Sequence, residues 1–291
     1  MSHIKAAIEA GGTKWICAIG DDTGKVISER VIETGQPDET LAAVIAALKE
    51  LREESGDYKS LGIGSFGPLI LDSEKPNFGE FINTPKENWS GYNMIQPLKK
   101  AFGKDFKIAL DTDVNTAVLA ESRLGIGKGY KNICYITVGT GIGGGVMVDG
   151  HLIKGKMHPE LGHIPVQDSA LEVKGFTTVC PFHTNCVEGK ASGTAMKHRW
   201  QTEPENMPDI AWELEADYLA QLAMALTASY SSDLIIFGGG VSKHKGLISL
   251  IQERFSEVAG GYWDLPPITD YIQMTSFQDR AGLVGALLLA P

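Results

Sequence analysis

The chain of 291 residues has no apolar run of about 18 residues, the length a helix needs to cross a bilayer. Its start, Met1-Ser2-His3-Ile4-Lys5, enters an apolar segment that soon meets Glu9, Gly11 and Gly12, too short and interrupted for a signal-peptide core. Both features lead us to expect a cytoplasmic protein. Basic residues are outnumbered: 26 Lys and Arg against 36 Asp and Glu leave a formal charge of −10. That balance argues against broad nucleic-acid binding, which rests on basic surface meeting phosphate. Four cysteines are too few and too scattered for a disulfide scaffold. Low-complexity segments and long linkers are also missing. Glycine, in contrast, is in excess at 34 residues, gathered in tight clusters that mark special turns. The remaining composition, 43% hydrophobic and 21% charged, suits one large globular domain or two modest ones.

Period and turn signals predict strands at Ile4–Ile8, Trp15–Ile19 and Val26–Val31, with Glu9–Thr13 turning the first pair. A helix is predicted over Thr40–Glu54, with Leu41, Val44, Ile45, Leu48 and Leu51 on one face. Strands follow at Leu61–Phe66 and Lys107–Leu110, then a helix over Asn115–Arg123. The second half repeats the opening. Ile133–Val138 is a strand, Gly139–Gly145 a glycine turn, and Val146–Val148 a returning strand before Asp149-Gly150. A helix over Trp212–Ser231, a buried strand Leu234–Phe237 and a final helix near 279–290 complete the pattern. Such repetition implies a duplicated α/β unit, each copy presenting a glycine hairpin to a shared cleft.

Three glycine clusters each follow an apolar strand: Gly11-Gly12-Thr13-Lys14, Gly139–Gly145 and Gly238-Gly239-Gly240-Val241. Without a Cβ, such turns let backbone N–H groups approach phosphate oxygens and adopt positive φ. The alternative is that each is a plain hairpin turn. None has the spacing of a P-loop, and Gly139–Gly145 leads into a strand, where a dinucleotide fingerprint needs a helix. Asp113, just past a strand, is a candidate general base or, alternatively, the N-cap of the helix that follows. Asp111 and Glu9 are candidates for holding Mg²⁺ through water, with a solvated strand end the alternative for Asp111. Cys180, His183 and Cys186 are spaced Cys-x₂-His-x₂-Cys, and with His163 upstream they form a donor set for tetrahedral Zn²⁺. A Cys180–Cys186 disulfide, three unrelated core residues and His158 as a ligand are the rivals. Cys17 and Cys134 lie in strands and are expected to be buried hydrophobes.

These motifs, together with Glu160-Leu161-Gly162-His163 and Cys186-Val187-Glu188, resemble the ROK family of sugar kinases in the actin/hexokinase/Hsp70 superfamily. Within it, Glu9–Lys14, Ser65–Pro68, Asn83–Lys86 with Trp89, Asp111–Asn115 and His158–Glu160 resemble bacterial fructokinases. Glu9 stands where many relatives carry Asp, Thr112 where glucokinases carry Asn, and His183 where many members carry Cys. The resemblance implies two ribonuclease-H-like, actin-like ATPase lobes around a central cleft. Residues 1–112, joined by 279–291, would form the small lobe, and 113–278 the large one with the zinc loop.

It also implies Mg-ATP bound by Gly11, Gly12, Thr13, Lys14, Thr140, Gly141, Gly143, Gly239 and Gly240, with Asp113 as base. The sugar would meet Asp113, Asn115, Glu160, His163 and Glu188, although Glu188 by itself reads equally as a surface charge. The implied activity is transfer of the ATP γ-phosphoryl group to the 6-hydroxyl of fructose, by a homodimer, without nucleic acid or membrane. Mannose, glucose or an N-acetylhexosamine is the alternative substrate. The family's sugar-sensing repressors carry an N-terminal helix-turn-helix. With the first hairpin beginning at Ile4 and the charge acidic, that role is not expected here.

Overall fold

Glycine breaks and apolar runs set the element order. In the computed structural model, which describes residues 4–291, the chain opens with β1 (Lys5–Ala10), β2 (Lys14–Gly20), β3 (Val26–Glu33), α1 (Pro37–Ser55) and β4 (Ser60–Ser65). It continues through α2 (Ile95–Phe102), β5 (Lys107–Thr112), α3 (Asp113–Leu124), β6 (Ile133–Val138), β7 (Ile142–Val148) and β8 (His151–Leu152). Then come α4 (Val187–Ala191), α5 (Gly193–Trp200), α6 (Asp209–Tyr230), β9 (Leu234–Gly238), α7 (Leu247–Ala259), α8 (Ile268–Tyr271), β10 (Ile272–Met274) and α9 (Ala281–Leu289). Among the described residues no helix is long and apolar enough to cross a membrane.

The chain forms two compact units. The first runs through Leu124 and adds Lys154–His158 and Arg280–Pro291; the second holds Gly125–Ile153 and Pro159–Asp279. Each has a five-stranded mixed sheet, ordered β3-β2-β1-β4-β5 in the first and β10-β9-β6-β7-β8 in the second. Read from the opposite edge, the second order becomes β8-β7-β6-β9-β10, so β6 to β10 stand where β1 to β5 stand. In both, an antiparallel meander joins two parallel strands. The parallel additions need crossovers, which α1 and α2 supply in the first unit and α6 and α7 in the second. This is the α/β architecture of the actin-like ATPases, duplicated within one chain.

The predicted elements form, with shifted ends. α1 starts at Pro37, whose missing N–H costs nothing in a first turn, and Asp38 and Glu39 there suit the positive end of the helix dipole. Its buried face includes Leu41, Val44, Leu48 and Leu51. β7 begins at Ile142, so Gly143–Gly145 are strand residues and the turn is only Gly139–Gly141. The unit boundary falls after Leu124 and not at 112/113, because α3 packs against α9. A Cβ on Gly285 of α9 would lie 1.7 Å from the Thr116 carbonyl oxygen of α3. One on Gly62 of β4 would lie 1.8 Å from the Ala286 oxygen. The α9 sequence, Ala-Gly-Leu-Val-Gly-Ala-Leu-Leu-Leu, carries no charge and is buried through Leu287. Burial of Leu283 and Leu287, both 0% exposed, contributes about 1.5–3 kcal/mol each. Cys17 and Cys134 are buried in β2 and β6.

Candidate active site

In the first unit, parallel register brings the site residues to one edge. Ala10 pairs with Ser65, and Ser65 with Thr112, so the chain leaves β1, β4 and β5 at one level. This carboxyl edge is where open α/β sheets place ligands. The hairpin after β1 closes with Gly11 N–H donating to the Lys14 carbonyl at 2.9 Å. A Cβ at Gly11 would lie 2.8 Å from that oxygen. Gly12, Thr13 and Lys14 are exposed at its tip. Behind it, Trp15, Phe66, Phe81 and Trp89 form an aromatic cluster with centroids 4.7–5.6 Å apart. Lys86 Nζ donates to the Thr34 carbonyl and Trp89 Nε1 to that of Gly35, so the 83–89 segment docks beside the hairpin.

Asp113 is the first residue of α3, and it does not cap the helix. Thr112 Oγ1 accepts from Asn115 N–H at 3.1 Å, which is the N-cap bond. The Asp113 carboxylate accepts from Val114 N–H, at 2.8 Å to Oδ1, and from its own backbone N–H. The half-buried carboxyl loses hydration, which pushes its pKa up to about 6 against the opposing pull of those backbone donors. Asp111 is no solvated strand end. It is 3% exposed and its Oδ1 accepts from Thr112 N–H and from Asn115 Nδ2 at 2.6 Å. Burial raises its pKa, while the Asn115 and Thr112 hydrogen bonds oppose the rise. The Asn115 Oδ1 atom is buried without a hydrogen-bond partner, leaving an acceptor for a ligand hydroxyl or water.

Glu9 and Asp111 both pair with Gly64, from opposite sides, so they share a sheet face about 10 Å apart at two strand spacings. Thr116 fills the space over Gly64.

In the second unit, Thr137 pairs with Gly238, which places the Gly139–Gly141 turn beside the Gly238–Gly240 turn. Gly239 takes φ +87°, and a Cβ there would lie 2.4 Å from the Val138 oxygen. It is the only residue of the three glycine clusters with positive φ among the described residues. Gly11, Gly141, Gly144 and Gly238 serve close approach, while Gly12, Gly139 and Gly240 have open space where a Cβ would sit. A Cβ on Gly141 would lie 2.6 Å from Glu188 Oε2, and one on Gly144 2.5 Å from Leu161 Cδ1. Gly143, expected in the turn, is a strand residue opposite Thr137.

Glu160-Leu161-Gly162-His163 lies flat on β7, where a Cβ on Gly162 would lie 2.0 Å from the Ile142 oxygen. Glu160 and Glu188 are both half-buried, so Glu188 is not a surface charge; its Oε2 accepts from Ile142 N–H at 2.9 Å.

His163, Cys180, His183 and Cys186 converge, with one donor atom from each within 4.8 Å of every other. Cys180 Sγ lies 3.9 Å from His163 Nδ1 and 3.6 Å from His183 Nδ1. A tetrahedral Zn²⁺ with bonds of about 2.3 Å to sulfur and 2.0 Å to nitrogen would set sulfur and nitrogen about 3.5 Å apart. The donors fit such an ion in kind and spacing. Cys180 and Cys186 are free thiols, and Gly189 N–H donates to Cys186 Sγ. His158 is not a ligand: it belongs to the first unit, where its Nε2 accepts from Leu69 N–H.

Residues that pattern reading did not single out also shape the site. They are Ser192-Gly193-Thr194, and Thr112, noted in the sequence only as a family departure, takes the cap, signalled by Thr three residues before Asn115. Ser192 caps α5 by accepting from Ala195 N–H at 3.2 Å.

Comparison with known proteins agrees with this geometry. The family model described as "ROK family" matches residues 5–291. A fructokinase of Zymomonas mobilis subsp. mobilis is 39% identical, covering 99% of this chain and 96% of that protein. A fructokinase of Pediococcus pentosaceus is 37% identical, covering 98% and 96%. Among solved structures, a ROK hexokinase from Thermus thermophilus aligns with a TM-score of 0.79 at 24% identity, over 100% of this chain and 98% of that one. With the duplicated sheets, the glycine hairpins and the His163-to-Cys186 cluster in place, the chain belongs to the ROK family.

Proposed function

We propose that the protein is an ATP-dependent fructokinase that transfers the γ-phosphoryl group to the 6-hydroxyl of D-fructose. The observation that carries the chemistry is Asp113, relieved of capping by Thr112 and held by backbone donors at the carboxyl edge of the sheet. The choice of sugar is supported by the fructokinases that match this chain almost end to end. As the 6-hydroxyl oxygen attacks the γ-phosphorus, its proton passes to the Asp113 carboxylate; the bond from phosphorus to the bridging oxygen breaks and ADP leaves.

Gly11, Gly12, Thr13 and Lys14 are assigned to the phosphates, with Thr140, Gly141 and Gly143. Gly239 and Gly240 are assigned to the nucleoside. Asn115 Oδ1, Glu160, the second ring nitrogen of His163 and the remaining oxygen of Glu188 are assigned to sugar hydroxyls. Mg²⁺ bound with ATP supplies charge neutralisation at the phosphates, and Asp111 and Glu9 are assigned to its waters. Zn²⁺ held by His163, Cys180, His183 and Cys186 would be structural, fixing the segment that carries Glu160 and Glu188. The assembly is assigned as a homodimer. The cytoplasm, which holds ATP and keeps thiols reduced, is the compartment this chemistry requires.

The test is ADP release with Mg-ATP across fructose, glucose, mannose, N-acetylglucosamine and N-acetylmannosamine. Fructose is expected to give the highest kcat/KM. A different leading sugar would move the substrate, and no turnover with any of them would end the kinase reading. Because Asp113 must be ionised to accept a proton, and its pKa is raised to about 6, kcat/KM for fructose is expected to fall as pH drops through about 6. A profile flat down to pH 5 would remove Asp113 from that role.

A further inference from the structure

Four hydrogen bonds join residues 139–142 to the short elbow formed by α4 and α5. Glu188 Oε2 accepts from Ile142 N–H at 2.9 Å. Gly193 N–H donates to the Gly139 carbonyl at 2.8 Å, and the Thr140 carbonyl accepts from Thr194 Oγ1 at 2.7 Å and from Thr194 N–H at 3.4 Å. The turn itself contributes one internal backbone bond, Gly139 N–H to the Gly141 carbonyl. Glycines at 139 and 141 give such a turn little conformational preference, so outside contacts select its shape.

The elbow is rigid enough to do so. Arg199, whose side chain is 1% exposed, forks onto Glu172 at 2.8 and 3.1 Å and donates to the Lys190 carbonyl at 2.7 Å. Lys190, with a side chain 3% exposed, pairs with Asp168 at 2.6 Å. A bidentate, desolvated pair of this kind fixes geometry more firmly than an exposed one. The approach of Glu188 also explains Gly141, since any side chain there would displace the carboxylate.

We infer that the α4–α5 elbow is a brace that pre-shapes the nucleotide phosphate turn, with Glu188 and Thr194 as positioning residues for ATP. Glu188 then has two tasks on two oxygens: Oε2 holds the turn, and the other carboxylate oxygen stays available to the sugar. The inference rests on the assignment of Gly139–Gly141 to ATP phosphates. It goes beyond that assignment by giving a sugar-side carboxylate and an exposed threonine control over nucleotide affinity.

The experiment measures the dissociation constant of Mg-AMPPNP by calorimetry without sugar, so that loss of sugar contacts cannot contribute. Thr194→Val keeps the shape and loses the hydroxyl donor, leaving only the longer backbone N–H bond to the Thr140 carbonyl; it is expected to weaken binding about fivefold, the effect of one hydrogen bond. Thr194→Ser restores the hydroxyl and is expected to bind as the unaltered protein does. Glu188→Ala is expected to weaken AMPPNP about tenfold, while Glu188→Gln, which keeps an acceptor for Ile142, stays within about twofold. Thr194 is exposed, so its variants test the inference even if Glu188→Ala fails to fold. Unchanged AMPPNP affinity in Thr194→Val and Glu188→Ala, with only the fructose KM altered, overturns the inference and leaves the kinase reading intact. Failure of the unaltered protein to bind AMPPNP overturns both.

Discussion

Asp113→Asn is expected to lower kcat for fructose phosphorylation by about a thousandfold, within the range that removal of a general base produces. The substitution preserves size, and the Asn oxygen can still accept from Val114 N–H. Thr112 continues to cap α3, so the helix start has no reason to shift. Fructose KM should therefore move by no more than about threefold, the signature of an interaction made chiefly in the transition state. The loss of rate toward acid pH should disappear from the residual activity, because the titrating carboxyl is gone. Full kcat in this variant would contradict the assignment directly. A large rise in KM with kcat unchanged would make Asp113 a sugar-binding residue only.

The second large effect is on stability. Stripping the metal with a chelator, or changing Cys186 to Ser, is expected to lower Tm by at least about 10 °C. A structural Zn²⁺ site is absent from the unfolded chain, so its binding energy adds to folding. Cys186 is 0% exposed and caps α4, the helix that carries Glu188, so the variant should also lose fructose affinity. Adding Zn²⁺ back should restore the chelated protein but not Cys186→Ser. Metal analysis should return about one zinc per chain if the ion takes these four donors. A purified protein free of zinc, with a melting curve indifferent to chelator, would show that the cluster holds together through hydrogen bonds among thiols and imidazoles.

The duplicated sheets could be read from the chain because β1, β6 and β9 are short apolar runs stopped by glycine, a local signal. The ends of elements were less legible. Gly143–Gly145 look like turn residues, yet they continue β7 because the backbone of 161–163 needs a flat surface to lie on. The donor spacing from Cys180 to Cys186 was visible because those residues repeat at short intervals, whereas His163, 17 positions before Cys180, was favoured over His158 by the family pattern. What stayed hidden depends on distant partners. Nothing near Thr194 in sequence marks its bond to Thr140, 54 positions away. Nor does Asp111-Thr112-Asp113 reveal that Thr112 takes the cap and leaves Asp113 free of it. α2, α7 and β10 were not anticipated. α2 and α7 each present few fully buried residues, which weakens the periodic pattern.

The contact of Gly62 and Thr116 with α9 has a consequence for the order in which the molecule can form. β4 and α3 leave the ribosome early, but the helix that covers them begins at Ala281, after the whole of Gly125–Ile153 and Pro159–Asp279 has been made. The second unit is nearly continuous in sequence and can assemble as soon as its last strand emerges, as domains do during synthesis. The first cannot finish until α9 arrives, and its closing contacts span more than 160 residues, from Thr116 to Gly285. The helix that starts with Asp113 therefore lacks its packing against α9 until the chain is almost complete, even when the second unit is already folded.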